Sequence, residues 1–349
     1  MIFSKKYLNN SPPLQFDGLF IDRVNEHRHL GLILTSSLDF SSQVNNICLR
    51  ANRKLSVLRS ISILHRKTLD ILYKLTVRSV IDYALPVFYK SLTQTQLSRL
   101  ENIQYKAGKI VTGALHFTSK QKLNSELGWE TFTDRGNILS LNIFHKVHRH
   151  ETRSLIRSCM PKLDTEKKYF TRSKGGYIHF KYENSKFNTS FFPHTLKLWN
   201  DLPKVIQLKD VQEFKTSIKV IIKPKRHKHF YTGTKVGNKL LTRIRVGRSD
   251  LNEHKFTIGL VDNPECQCYY KSESPEHYFL QCFLYSPERQ ILFNLVEHFV
   301  PNFKNYNNKQ KLKLLLAGFD TDDPDFFSLN KTLSIAVQNY IIATKRFLD

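Results

Sequence analysis

The stretch "VNNICLRANRKLSVLR", residues 44–59, sets the fold class. Val44, Ile47, Cys48, Ala51, Leu55 and Leu58 recur at steps of three and four, so a helix gathers them into one stripe. Arg50, Arg53, Lys54 and Arg59 fall outside that stripe, which gives the helix an apolar inner face and a cationic outer one. The same period continues downstream. A second helix is expected over 67–84, with Leu69, Leu72, Tyr73, Val77, Val80, Ile81 and Ala84 inward and Pro86 as its stop. A third is expected over 94–112, carrying Leu97, Leu100, Ile103, Ala107 and Ile110 and ending at Gly113. Two more patterns follow near 119–127 and 134–159. Short connections between such helices argue for a bundle.

On either side of this bundle the pattern changes. Residues 1–35 read as short strands: "LQFDGLFID" turns at Asp17 and Gly18, and "HLGLILTS" is apolar with Gly31 permitting a bend. These strands are too few to make a sheet, and their open edges suggest a piece of something larger. Residues 160–195 lose periodicity and read as loop with one or two short strands. Helical pattern returns at "TLKLWNDLPKVI" and "VQEFKTSIKVII", and again near 287–299, 308–316 and 328–347. The fold class is therefore mainly α (α+β), divided at 1–35, 36–159, 160–235 and 236–349.

The charge points to the partner. Against 30 Asp and Glu stand 54 Lys and Arg, a formal net charge of +24, so polyanions and above all nucleic acids are expected to bind. Between Glu213 and Asp250 there is no acidic residue, while Lys223, Lys225, Arg226, Lys228, Arg243 and Arg245 accumulate. Phe230, Tyr231 and Tyr269 supply nearby rings for stacking on unpaired bases. "MIFSKKYLNNSPPLQF" lacks the apolar core of a signal peptide, and no run approaches the roughly 18 apolar residues of a membrane span. An intracellular chain, nuclear or cytoplasmic and without a membrane partner, is expected.

Three of the five cysteines lie in "CQCYYKSESPEHYFLQC", residues 266–282. Cys266, Cys268, His277 and Cys282 form C-x-C-x8-H-x4-C, a closed tetrahedral donor set for structural zinc. Simple burial of the thiols and a redox pair are the alternatives, although C-x-C lacks the spacing of thioredoxin-like sites. His277 and Cys282 are five residues apart, about 140° out of phase on an ideal helix, so one of them belongs at a helix end. Cys48 and Cys159 stand alone in helical patterns and are expected to be buried.

Little suggests catalysis. "TDDPD", residues 321–325, reads as an acidic loop, and His27, His29, His145, His148, His150, His227 and His229 read as surface residues among cations. No Gly-rich phosphate loop, G-x-S-x-G or H-E-x-x-H occurs. An enzyme in its own right would have to assemble carboxylates such as Asp17, Asp39 and Asp82 from distant positions.

In order, "HRHLGLILTSSLDFSSQVNNICLRANRKLSVLR", "LYKLTVRSVIDYALPVFY", "LENIQYKAGKIVTG", "SFFPHTLKLWNDLP" and "LLTRIRVGRSDLNEHKF", followed by the Cys/His cluster, resemble the C-terminal part of non-LTR (LINE-type, jockey-like) retrotransposon reverse transcriptases. The resemblance implies an end-of-palm remnant at 1–35 with its Leu30-Gly31 turn, a helical thumb, a basic connector, and a C-terminal domain with a zinc knuckle. It also implies that Arg50, Arg53 and Lys54 face a template-primer duplex, and that Arg243 and Arg245 touch RNA or target DNA. The polymerase Tyr/Phe-x-Asp-Asp motif that would hold Mg2+ is missing, so a catalytically incomplete fragment of an RNA-directed DNA polymerase is expected. The alternative is a free-standing, domesticated zinc-containing module that binds nucleic acid or protein.

Overall fold

The computed structural model describes residues 14–22, 24–149, 155–161, 176–178, 180, 185–222, 224–225, 227–321 and 323–347. Two antiparallel hairpins come first, β1 (Leu14–Phe16) with β2 (Leu19–Ile21) and β3 (Glu26–His29) with β4 (Leu32–Thr35). The longer helices are α1 (Ser41–Ser60), α2 (Arg66–Leu72), α3 (Gln94–Thr112), α4 (Lys120–Leu127), α5 (Phe132–His148) and α6 (Phe191–Asn200). They continue as α7 (Val211–Ile222), α8 (Lys235–Arg245), α9 (Asn252–Thr257), α10 (Ser286–Phe299), α11 (Asn308–Ala317) and α12 (Pro324–Ala343). The protein is mainly helical, and among the described residues no helix is long and apolar enough to cross a membrane.

The chain forms two compact units, each assembled from three segments. Unit 1 comprises 1–55, 75–104 and 130–223; unit 2 comprises 56–74, 105–129 and 224–349. The expected divisions were consecutive, whereas the cuts observed here fall inside α1, after Leu55, and inside α3, after Gln104.

In unit 1 the hairpins turn at Asp17-Gly18 and Leu30-Gly31, all four residues having positive φ. Gly31 is required twice over: φ is +82°, and a Cβ there would stand 3.3 Å from the ring of Tyr83. The Tyr83 hydroxyl donates to the Leu30 carbonyl, and the Ile33 amide donates to Gln43 Oε1 at 3.0 Å, which ties β4 to α1. Strands β1 to β3 are exposed along their length. On α1 the expected stripe is buried, with Val44, Ile47, Cys48, Ala51 and Leu55 inward.

The second expected helix is interrupted. After α2 the chain makes a π-turn over Tyr73–Arg78, resumes as a helix over Ser79–Asp82, and turns at Ala84, whose φ is +55°. Pro86 therefore lies in the first turn of a new short helix, Leu85–Phe88, where its missing N–H costs nothing. Of the expected loop at 160–195, most lies outside the described residues, but 185–188 and the start of α6 are helical. Here α5, α6 and α7 enclose a core of Ile138, Leu141, Phe144, Leu196, Trp199, Phe214 and Ile218.

Gly136, inside α5, gives a direct test of this packing. A Cβ at this position would lie 2.4 Å from the Tyr89 ring. Gly136→Ala in an open helix would gain up to about 1 kcal/mol. Here overpacking of about 1–3 kcal/mol reverses the sign. Urea denaturation is expected to show a net loss, and a gain would contradict the packing described.

The two histidine expectations that fail do so by burial. His145 is buried in unit 1 with its Nε2 against the Lys209 carbonyl at 2.9 Å, and His229 in unit 2 pairs its Nε2 with the Ala317 carbonyl at 2.8 Å. Burial lowers His229 to about 4, which keeps it neutral. His27 and His29 are exposed, as expected, while His148 and His227 are half-buried and His150 lies outside the described residues. Cys48 is buried, but Cys159 is exposed.

Unit 2 has the larger core around its C-terminal segment. Leu240, Leu241 and Ile244 of α8, Leu292 and Val296 of α10, Leu314 and Leu315 of α11, and Leu333, Val337, Tyr340 and Ile341 of α12 converge on Tyr278, Phe279 and the three clustered cysteines.

Candidate metal centre

The segment that carries the cysteines is shaped by its backbone before any ligand is considered. The Tyr269 amide donates to the Cys266 carbonyl at 2.8 Å and the Cys266 amide donates to the Tyr270 carbonyl at 3.0 Å, closing a tight turn. Tyr269 takes a φ of +63° to complete it. That turn is how two cysteines only two positions apart face the same point. A second device handles His277 and Cys282. His277–Gln281 is a π-turn, and the Cys282 amide donates to the His277 carbonyl at 2.8 Å, a five-residue step. The wider turn brings to one side two residues that an α-helix would separate. His277 opens it and Cys282 follows its end.

All four side chains are buried, and their donor atoms lie within 4.8 Å of one another. Cys266 Sγ and Cys282 Sγ are 3.7 Å apart, and Cys268 Sγ is 3.1 Å from His277 Nε2. A tetrahedral zinc with Zn–S bonds of about 2.3 Å requires sulfurs about 3.8 Å apart, so the sulfur spacing already matches. Three soft sulfurs and an imidazole suit zinc and do not suit hard oxygen-seeking cations.

Without an ion, burial keeps the cluster uncharged. Burial pushes the Cys266 thiol up to about 12, reinforced by the neighbouring sulfurs, and burial raises Cys282 as well. Burial lowers His277 and so keeps its imidazole neutral, the form that ligates. A divalent ion would compensate the charge that burial otherwise forbids.

Supports surround the cluster within unit 2. Tyr270 stacks on the His277 ring, with centroids 4.2 Å apart and planes 4° from parallel. Arg289 Nη1 donates to the Cys282 carbonyl at 2.6 Å. Glu273, buried in the loop between the ligands, accepts from Arg346 Nε and Nη2 at 2.6 and 2.5 Å and from the Asn252 amide at 2.8 Å. The four positions are all filled by protein atoms, leaving no coordination place for substrate. The cluster can cross-link unit 2 and cannot readily act as a Lewis acid.

The expected nucleic-acid residues are distributed between the units. Arg50, Arg53 and Lys54 are exposed on the outer face of α1, with no acidic partner among the described residues. In unit 2, Lys225 pairs with Asp320 at 2.8 Å, Lys228 is exposed, and Arg243 binds Asp250 Oδ2 at 3.0 Å and the Gly113 carbonyl at 3.0 Å. Lys223 and Arg226 lie outside the described residues.

Arg245 is placed otherwise than expected. Its guanidinium is buried, with Nε 3.0 Å and Nη2 2.6 Å from the Glu126 carboxylate, and lies 3.9 Å from the Phe230 ring centroid. Arg66 completes this cluster: its Nη1 donates to Glu126 Oε1 at 2.9 Å, Asn238 Oδ1 at 2.9 Å and Thr242 Oγ1 at 3.0 Å. Sequence reading missed the triad because its members come from three separate segments.

The carboxylates that catalysis would need are not gathered. Asp17 sits in an exposed hairpin turn, Asp39 accepts from the Ser41 amide, and Asp82 is bound by Arg135, whose Nη2 lies 2.8 Å away. Among the described residues, the Cys/His set alone could hold a metal ion. Cys266, Cys268, His277 and Cys282 thus form a buried Cys3His cluster that could hold a metal ion. No family model, curated protein or solved structure matches the chain.

Proposed function

We propose that this chain is a nucleic-acid-binding protein whose Cys266, Cys268, His277 and Cys282 hold a structural zinc. The observation that carries the reading is the charge: a net +24, with Arg50, Arg53 and Lys54 exposed together on the outer face of α1. Cations left without acidic partners over one helix face suit a phosphate backbone, which is gripped by charge and read without sequence. Zinc would supply a cross-link between the tight turn and the π-turn, and so hold the C-terminal core in shape.

The ordered resemblance to LINE-type reverse transcriptases supports a more particular reading. In that reading the hairpins correspond to the end of a palm, the helices after them to a thumb, and the Cys/His segment to a zinc knuckle. RNA and DNA template-primer are then the partners. No Tyr/Phe-x-Asp-Asp motif occurs in the sequence, so purified chain with magnesium is expected to give no polymerase turnover.

Binding of the purified chain to single-stranded RNA, RNA–DNA hybrid and duplex DNA across a salt series tests the reading. Log affinity is expected to fall linearly and steeply with log salt. A salt-independent affinity, or none, removes the proposal.

A further inference from the structure

Away from the Cys/His centre, unit 2 holds a cavity of about 680 Å3 with an unusual lining. Arg59, Lys106, Lys109, Lys235, Lys239 and Arg243 converge on it from three stretches of chain, and no aspartate or glutamate lines it. Leu64, Leu69, Ile110 and Val111 supply an apolar part. The volume falls within the range of small-ligand sites, roughly 300–1,000 Å3.

The cations are positioned by the fold. Gly113 ends α3 with a φ of +68°, and the stem of Lys239 lies where its Cβ would be, 2.7 Å from that point. Arg243 is held by the Gly113 carbonyl and Asp250, and the Lys235 ammonium donates to the Ser62 carbonyl at 2.5 Å. Among the described residues no ion pair is made by Arg59, Lys106 or Lys239. Burial, with Arg243 and Lys235 nearby, lowers the Lys239 ammonium below its ordinary value against the opposing pull of Asp250. Crowded like charges of this kind are relieved by an anion of high charge density.

We propose that this cavity takes a nucleotide unit of single-stranded nucleic acid, its phosphate held by Lys106, Lys239 and Arg243 and its base or sugar against Leu64 and Ile110. The inference rests on the nucleic-acid reading above and assigns it a place. A row of carboxylates on a peptide would leave the apolar wall unused; a nucleotide uses both parts.

The test uses the full chain and three probes: a fluorescein-labelled 12-nucleotide RNA followed by anisotropy, AMP followed by equilibrium dialysis, and circular dichroism to establish the fold of each variant. K106Q/K239Q removes two exposed cavity cations, and K309Q/K331Q removes two exposed cations from α11 and α12. The cavity double variant is expected to bind RNA at least about tenfold more weakly. Its slope of log affinity against log salt should flatten by about 0.7, the one phosphate of a single strand held in the cavity. The control is expected to shift affinity less than twofold. Equal losses in the two double variants overturn the cavity while leaving nucleic-acid binding in place. AMP binding that is lost in K106Q/K239Q, without RNA binding by the wild type, keeps the phosphate site and overturns the nucleic-acid reading. Binding of neither probe overturns both.

Discussion

Chelation of the zinc-loaded chain is expected to unfold the C-terminal part of unit 2 cooperatively, the largest effect foreseen here. Zinc-finger peptides draw about 10–16 kcal/mol of apparent free energy from one ion at neutral pH. In this chain the ligands lie inside a core shared with α8, α10, α11 and α12, so part of that free energy is backed by apolar burial. Losing the ion would leave three buried sulfurs and an imidazole crowded within 4.8 Å. Amide hydrogen exchange in α10, α11 and α12 should accelerate on chelation and slow again with zinc, at one zinc per chain by elemental analysis.

The same centre is expected to lose zinc steeply as pH falls. Binding displaces the thiol protons, which burial holds most tightly at Cys266 of the two raised thiols, while burial favours the neutral His277 imidazole. Apparent affinity should therefore drop by up to about tenfold per displaced proton for each pH unit. Protein that is folded and unchanged without metal would contradict the assignment.

Glu126→Gln is expected to cost about 3–5 kcal/mol, because it leaves two buried guanidinium groups without their counter-charge. Arg66 and Arg245 both reach this carboxylate, and both lie against aromatic rings, Tyr231 and Phe230. Burial alone would raise the Glu126 carboxyl. The Arg245 and Arg66 charges outweigh it and hold the group below 4.5. A folded value below the unfolded one means that the stabilisation is complete above the ordinary carboxylate range and is lost as pH falls through the lower folded value. Wild type and E126Q should thus converge in stability in acid and diverge towards neutral pH. Urea melts at several pH values measure this, and a difference under 1 kcal/mol at pH 7 would sink it.

What the sequence disclosed follows from the range over which each feature is built. The stripe of Val44, Ile47, Cys48, Ala51 and Leu55 is local, so periodicity alone finds α1 and its buried face. The metal set was legible because four ligands occupy a short stretch and zinc chemistry restricts the choices. The π-turns at 73–78 and 277–281 were not, since they change helical step while leaving composition untouched. Pro86 was read as a stop because the left-handed turn at Ala84, which lets a new helix begin, has no residue signature. The triad at Glu126 and the cavity cations Lys106 and Lys109 escaped for another reason. Each resembles a solvated charge until segments far apart in sequence meet around it.

The interleaving of the units has a consequence for how the chain is made. Arg66 and Asn238, 172 positions apart, are hydrogen-bonded within one unit, and α1 and α3 each serve both. Unit 1 lacks its third segment until residue 223 has been synthesised, and unit 2 until the chain beyond it emerges. During translation the later turns of α1 and α3 therefore wait with their apolar positions uncovered, the state in which chaperones act. No single cut separates the two units, since one after residue 223 keeps unit 1 on one piece but divides unit 2, and such distant pairings make slow folding the natural regime.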